Sequence, residues 1–202
     1  MTKIKLCGLS RKEDIMAANS VSPDYIGFVF AKKSIRYVTF ETAAGLKEIL
    51  APGILSVGVF VDEDVKKVSE YLTAGVIDLA QLHGNENDDY IRELRKLTDK
   101  PIIKAFRIGS KDDLKPAEGS SADHILLDAG MGDGKVFEWS WLKGISRPYF
   151  LAGGLNTGNV ADAVNMLHPF AVDVSSGIET EGYKDPEKMR EFTELVRHSQ
   201  NT

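Results

Sequence analysis

Tyr149-Phe150-Leu151-Ala152-Gly153-Gly154-Leu155-Asn156-Thr157 runs an apolar stretch into a glycine pair, and Ala171-Val172-Asp173-Val174-Ser175-Ser176-Gly177-Ile178-Glu179 repeats the arrangement one helical segment later. A short apolar run bounded by turn formers reads as a buried strand. Glycine lets backbone approach a ligand closely, and consecutive N–H groups near a helix N-terminus bind anions. Either loop alone could be a plain tight turn. Two of them in successive strand–helix units point to a phosphate site.

The same unit extends backward along the chain. Lys3–Cys7, Tyr25–Phe30, Leu55–Val61, Leu79–His83, Ile102–Arg107 and His124–Asp128 are near-continuous apolar runs, as parallel strands covered on both faces require. Between the eight strands lie helical segments at Lys12–Ala18, Thr42–Leu50, Val65–Thr73, Asp88–Leu97, Asn159–Leu167 and Pro186–His198. Ser10 with Glu13 has capping-box spacing, Asp62 and Asn87 are good N-cap types, and Pro186 after Asp185 suits a first turn. Lys111–Glu118 and Glu138–Leu142 are weakly patterned, and brief or irregular helices are expected there. Eight alternating units of about 25 residues predict an α/β fold of the (β/α)8 TIM-barrel type, near the lower end of its size range. A doubly wound open sheet is the rival, but it favours a dominant Gly-rich loop after the first strand, and Gly8-Leu9-Ser10 is plain. No linker or low-complexity tract divides the chain, so residues 1–202 are read as one domain.

Charge and composition narrow the function. A net charge of −5 argues against nucleic acid as a partner. No apolar stretch approaches the roughly 18 residues that a membrane span needs. A single cysteine and the absence of a signal-peptide pattern at Met1-Thr2-Lys3 suggest the cytoplasm. An anionic small molecule remains open, held by local cations and helix N-termini.

In a barrel of this type the chemistry sits at the C-terminal strand ends. Those ends carry Cys7, Arg36 within Lys32-Lys33-Ser34-Ile35-Arg36, His83, Asp128, Gly153-Gly154 and Ser175-Ser176-Gly177. Each has a bland reading: Cys7 as core, Asp128 as a turn cap, Arg36 as a solvated loop residue and His83 as a hydrogen-bonded core histidine. Lys5 shares the inward face of its strand with Cys7 and is expected to pair with Asp173 on the last strand, biasing the field below the thiol. With a reference value near 8.5, that thiol would need only modest help to supply thiolate.

Several stretches together resemble the phosphoribosylanthranilate isomerase family along essentially the whole chain. They are Lys5-Leu6-Cys7-Gly8, Gly27-Phe28-Val29-Phe30 through Arg36-Tyr37-Val38, Val57–Val61, Gln81-Leu82-His83-Gly84, Leu126-Leu127-Asp128, Gly134–Trp139, Leu151–Leu155 and Val172–Glu179. The resemblance implies an Amadori rearrangement of a phosphorylated substrate, with no metal or organic cofactor. It implies Asp128 as general acid and Cys7 as general base. By the same resemblance Arg36 holds the anthranilate carboxylate, Gly153, Gly154, Ser175, Ser176 and Gly177 bind phosphate, and His83 is a candidate substrate contact. Monomer and homodimer are both open.

Two departures stand out. Ile35 occupies a place where the family often has proline, which would leave the Arg36 loop less restrained. Asp133, in a Gly-rich stretch expected to form a mobile lid, replaces the usual Thr or Ser, while Glu138 for Asp is conservative. Other classes fit less well. A histidine-pathway sugar isomerase uses Asp in place of Cys7, and an indole-glycerol-phosphate synthase carries an N-terminal extension. A metal-dependent epimerase needs clustered ligands, yet His83, His124, His168 and His198 lie on unrelated segments. A non-catalytic metabolite-binding barrel needs neither an acid nor a base.

Overall fold

Alternating side chains divide every strand of this protein into two sets, and a closed barrel gives each set its own core. The computed structural model describes residues 1–128 and 139–199. Strands β1 (Lys3–Cys7), β2 (Tyr25–Val29), β3 (Leu55–Phe60), β4 (Leu79–Leu82), β5 (Ile102–Arg107), β6 (His124–Asp128), β7 (Tyr149–Ala152) and β8 (Ala171–Val174) close in sequence order. All neighbours are parallel, and β8 returns to β1 with Lys5 opposite Asp173. The predicted TIM barrel is the observed one.

One set of side chains points outward. Ile4, Leu6, Ile26, Phe28, Phe60, Leu82, Ile125, Leu151 and Val172 pack beneath the helices in one continuous core. The inward set starts with a plug of Tyr25, Val57, Leu79, Ile103, Leu126, Phe150 and Ala171. Nearer the mouth, Cys7, Val29 and Val59 form a small apolar group of their own. Charged and amide groups occur among the inward positions, where Lys5, Gln81 and Asp173 are buried. Burying such groups is costly unless each is paired, so their presence marks the part of the barrel that does more than pack.

The helices α1 (Lys12–Val21), α2 (Phe40–Glu48), α3 (Val65–Thr73), α4 (Asp88–Arg95), α5 (Leu114–Gly119), α6 (Val160–Leu167) and α7 (Pro186–His198) follow their strands as the pattern predicts. Asn87 caps α4 through Tyr90 N–H, and Asp185 caps α7 with Pro186 in the first turn. Two expected caps are displaced. The box before α1 is Arg11 with Asp14, not Ser10 with Glu13: buried Asp14 accepts from the N–H groups of Ser10 and Arg11 and from the Arg11 guanidinium. Helix α3 is capped by Asp64, while Asp62 takes a positive φ of 50° and binds Asn85 instead. The weakly patterned segments are short, as expected: a 3-10 turn at Lys111–Asp113 leads into α5, and 3-10 helix Trp139–Gly144 stands where a helix would follow β6. A two-stranded hairpin, β9 (Glu179–Thr180) and β10 (Tyr183–Lys184), was not foreseen, because two-residue strands leave no periodic signal.

Candidate active site

Cys7 ends β1 directly opposite Gly27 of β2. A Cβ at Gly27 would stand 2.6 Å from Cys7 Sγ, so the glycine supplies the volume that the thiol occupies. Beneath the thiol on the same face, Lys5 is fully buried and its Nζ lies 2.9 Å from Asp173 Oδ1. The pairing expected from the sequence is therefore present. Its effect on Cys7 is opposed by the surroundings. Burial pushes the thiol above its ordinary value, Lys5 pulls it down and Asp173 pushes it up again. Burial thus outweighs the help from Lys5, and the net direction is upward, against the modest lowering expected from the sequence. Lys5 itself is held above its usual value, because Asp173 and Cys7 outweigh the cost of burying the ammonium.

Arg36 is not a free loop residue. Its Nε and Nη2 donate to Glu179 Oε1 and Oε2 at 2.6 and 2.7 Å, a bidentate pair that raises the guanidinium above its ordinary value despite partial burial. Its stem crosses Gly8, where an added Cβ would meet Arg36 Cδ at 2.5 Å. The loop around it is also tied down: Arg36 N–H donates to Ser34 Oγ, and Val38 N–H donates to the Val29 carbonyl. Ile35, the residue where the family often has proline, is itself 84% exposed.

Glu179 joins three parts of the mouth. Besides Arg36 it accepts from Lys184 Nζ at 2.6 Å, and the same ammonium donates to the Ser175 carbonyl at 2.8 Å. Ser175 Oγ in turn donates to the Cys7 carbonyl at 3.1 Å. Burial lowers Lys184, with Glu179 and Cys7 working the other way. For Glu179, burial is outweighed by its bonds to Arg36 and Lys184, which keep it below the usual carboxylate range. Neither Glu179 nor Lys184 is a candidate from the sequence alone, because Glu179 and its partner Arg36 lie 143 positions apart.

The two glycine loops meet. Gly153 and Gly154 adopt positive φ of 95° and 67°. A Cβ on Gly177 would fall onto the Leu155 carbonyl oxygen, so the loop after β8 rests directly on the loop after β7. Ser176 and Gly177 open a 3-10 turn, and Asn156 and Asn159 brace the next turn through Asn159 Oδ1 accepting from Asn156 N–H at 2.9 Å. Gly153, Gly154, Ser175, Ser176 and Gly177 are thereby gathered in one place.

Asp128 ends β6, three steps around the ring from Cys7. His83 Nε2 lies 3.2 Å from Asp128 Oδ2, and Gln81 Nε2 lies 2.8 Å from His83 Nδ1. The histidine is therefore tied to the carboxylate through one ring nitrogen. The Gly-rich stretch expected as a lid, with Asp133, lies outside the described residues, as does Glu138. Among the described residues no three His, Cys, Asp or Glu side chains are grouped to hold a metal ion. Nor is any described helix long and apolar enough to cross a membrane.

The mouth thus brings together a thiol and a carboxyl at separate strand tips, a restrained arginine and two touching glycine loops, the kinds of group that proton transfer on an anionic molecule uses. Known proteins share this sequence and fold along nearly the whole chain. Residues 4–195 match the family model described as N-(5'phosphoribosyl)anthranilate (PRA) isomerase. The N-(5'-phosphoribosyl)anthranilate isomerase of Endomicrobium trichonymphae is 44% identical over 202 residues, covering 98% of this chain and 99% of that protein. The crystal structure of phosphoribosyl anthranilate isomerase from Thermotoga maritima superposes with a TM-score of 0.91 at 34% identity, covering 98% of this chain and 100% of that one. A further structure of such an isomerase, in complex with reduced 1-(o-carboxyphenylamino)-1-deoxyribulose 5-phosphate, gives 0.88 at 33% identity with the same coverage. With nearly full-length matches in sequence and in structure, the chain belongs to the N-(5'-phosphoribosyl)anthranilate isomerase family.

Proposed function

We propose that this chain converts N-(5'-phosphoribosyl)anthranilate to 1-(2-carboxyphenylamino)-1-deoxyribulose 5-phosphate, the aldose–ketose (Amadori) isomerisation of tryptophan biosynthesis. The observation that carries the reading is the pairing of Cys7 and Asp128 at separate strand ends of one mouth that also holds Arg36 and the touching glycine loops. The loops at Gly153-Gly154 and Ser175-Ser176-Gly177 take the phosphate through backbone N–H groups. Arg36, held along one edge by Glu179, presents its remaining donors to the anthranilate carboxylate. His83 stands beside Asp128 at the same rim.

Asp128 protonates the ribose ring oxygen. The C1′–O bond breaks toward that oxygen while the nitrogen lone pair forms a C1′=N iminium. Cys7, as thiolate, then removes the C2′ proton, and the electrons move into a C1′=C2′ bond that neutralises the iminium; the resulting enolamine tautomerises to the ketone. The order follows from electrostatics. A thiol lifted by burial is a poor source of thiolate until a cation forms beside it, and ring opening creates that cation.

Turnover is followed by loss of anthranilate-type fluorescence from freshly prepared substrate. Cys7→Ala and Asp128→Ala are each expected to lower kcat by about 10²–10⁴-fold. Undiminished turnover in both would overturn the assignment. Arg36→Ala is expected mainly to raise KM, with a loss of about 1.5–3 kcal/mol in binding, and an unchanged KM would remove Arg36 from the carboxylate site. The reaction is placed in the cytoplasm, in one domain spanning residues 1–202, with the phosphorylated substrate as partner and neither nucleic acid nor membrane. The single cysteine and the acidic net charge support that placement. The assembly is a monomer or a homodimer, which sedimentation equilibrium distinguishes.

A further inference from the structure

His83 has a partner on each ring nitrogen, and chemistry constrains what those partners can be. Asp128 as a carboxylate can only accept, so a proton must then sit on His83 Nε2, 3.2 Å away. In a neutral imidazole this leaves Nδ1 bare and in need of a donor, which the Gln81 amide supplies at 2.8 Å. The same arrangement leaves Gln81 Oε1 buried without a hydrogen-bond partner. Gln81 is only 1% exposed, so water reaches that oxygen poorly. An unpartnered buried polar atom is costly, and because turning the amide would put its NH2 where Oε1 stands, the sealed position favours neither orientation.

Turning the amide end for end reverses the logic. Oε1 then accepts from a protonated Nδ1, and the pair carries one more proton, shared between His83 Nε2 and Asp128 Oδ2. A primary amide is suited to both states, because it presents a donor and an acceptor of nearly the same shape. The His83 side chain is 30% exposed and that of Asp128 22%, so the pair borders solvent while the amide behind it is sealed.

We propose that Gln81 and His83 form a proton store behind Asp128, with the Gln81 amide orientation selecting between an unloaded and a loaded pair. The proposal rests on the reading of Asp128 as the acid. It answers a need of the reaction: ring opening breaks the Asp128 O–H bond, hands the proton to the ring oxygen and leaves a carboxylate. The next turnover needs one proton returned to that carboxyl from solvent, while the Cys7 thiol releases one. His83 Nε2–H receives the fresh carboxylate, and the turned amide stabilises the reloaded pair. Both Gln81 and His83 are positioning residues here.

Other charged groups are carried on the elements around His83. Asp62 after β3 is engaged by Asn85 at 2.6 Å, and Glu86 after β4 pairs with Lys104 of β5 at 3.0 Å. Arg107 of β5 is in register with Asp128. None is altered in the test, so their contribution stays constant.

The test uses ¹⁵N-labelled enzyme, reading the His83 ring nitrogens by NMR, together with kcat and KM against pH for the parent, Gln81→Glu and Gln81→Met. Glutamate can only accept from Nδ1, so it is expected to hold the loaded state and move the alkaline limb of kcat to higher pH by about one unit. Methionine keeps the volume but offers no partner; it is expected to lower kcat by about tenfold with KM unchanged, as loss of one aligned hydrogen bond to the acid's partner would. If a buried charge prevents Gln81→Glu from folding, Gln81→Met and His83→Asn carry the test, the latter being expected to change the shape of the alkaline limb. Parent-like ring signals, kcat and pH profile in the folded variants would overturn the store. Asp128→Asn separates the two ideas: if it turns over normally, the acid assignment fails and the store with it. If it is inactive while the Gln81 and His83 variants match the parent, the store alone fails.

Discussion

Gly27 is small because Cys7 needs the space. An alanine there would put its Cβ 2.6 Å from Sγ and 3.1 Å from Cys7 Cα, so the thiol must be displaced and the strand backbone must give by a few tenths of an ångström. Gly27→Ala is therefore expected to lower kcat about 10–100-fold while the fold survives, since small displacements of a reacting group cost on that order; steady-state kinetics beside a thermal melt check it. Lys5 and Asp173 act on the same thiol with opposite signs. The base works deprotonated, so kcat/KM rises as pH climbs through the thiol's titration. Asp173→Asn removes the charge that holds the proton on and should move this limb to lower pH. Lys5→Met removes the charge that draws it off and should move the limb to higher pH, by about one unit in each case. Displacement of both limbs in the same direction would contradict the arrangement. Cys7, Lys5 and Asp173 were all legible in the sequence through strand alternation. The net direction of the Cys7 shift was not, because desolvation depends on every atom around the sulfur.

At the scale of single elements, the strand and helix runs were readable, while some of their ends and caps were not. Strands β1, β5, β6 and β7 and helices α3 and α7 have the limits that their apolar patterns predict. The caps of α1 and α3 moved because Asp14 and Asp62 are engaged by their surroundings in ways that spacing alone does not reveal: Asp14 is buried and receives a guanidinium, and Asp62 is drawn to Asn85 across the chain, leaving Asp64 to cap α3. This yields a direct comparison. Asp14→Ala should cost about 1–2 kcal/mol, the range for lost helix caps, whereas Ser10→Ala should be close to neutral. Urea denaturation of the two variants decides between the two boxes, and equal losses would return the cap to Ser10. The β9–β10 hairpin is the element whose absence from the sequence reading mattered most, since it carries Glu179 and Lys184 to the mouth.

For the whole molecule, carboxylates held low by cations make stability depend on acid. Asp78 and Asp123 are penalised by burial, but Lys47 with Ser56, and Arg95 with the Ile102 N–H, outweigh that penalty; Glu179 is treated likewise by Arg36 and Lys184. A group whose folded value is depressed contributes stability that is fully present above its unfolded value, near pH 4 for these types, and is lost as pH falls through the folded value. The urea midpoint is thus expected to hold between pH 7 and about pH 5 and to fall steeply below about pH 4. A flat midpoint down to pH 3 would contradict these pairs. The sequence by itself determined the barrel, because strand periodicity, helix periodicity and their eightfold alternation are local properties that survive without knowledge of contacts. It also placed Cys7, Asp128 and the glycine loops at strand ends, since a parallel barrel gathers all such ends at one mouth. Tertiary structure alone decided that Glu179 grips Arg36, that Gly177 rests on the loop holding Leu155, and that Gln81, His83 and Asp128 stand in a line. Those relations join residues that are remote along the chain, and both their hydrogen bonds and the cost of burying them exist only once the barrel has closed.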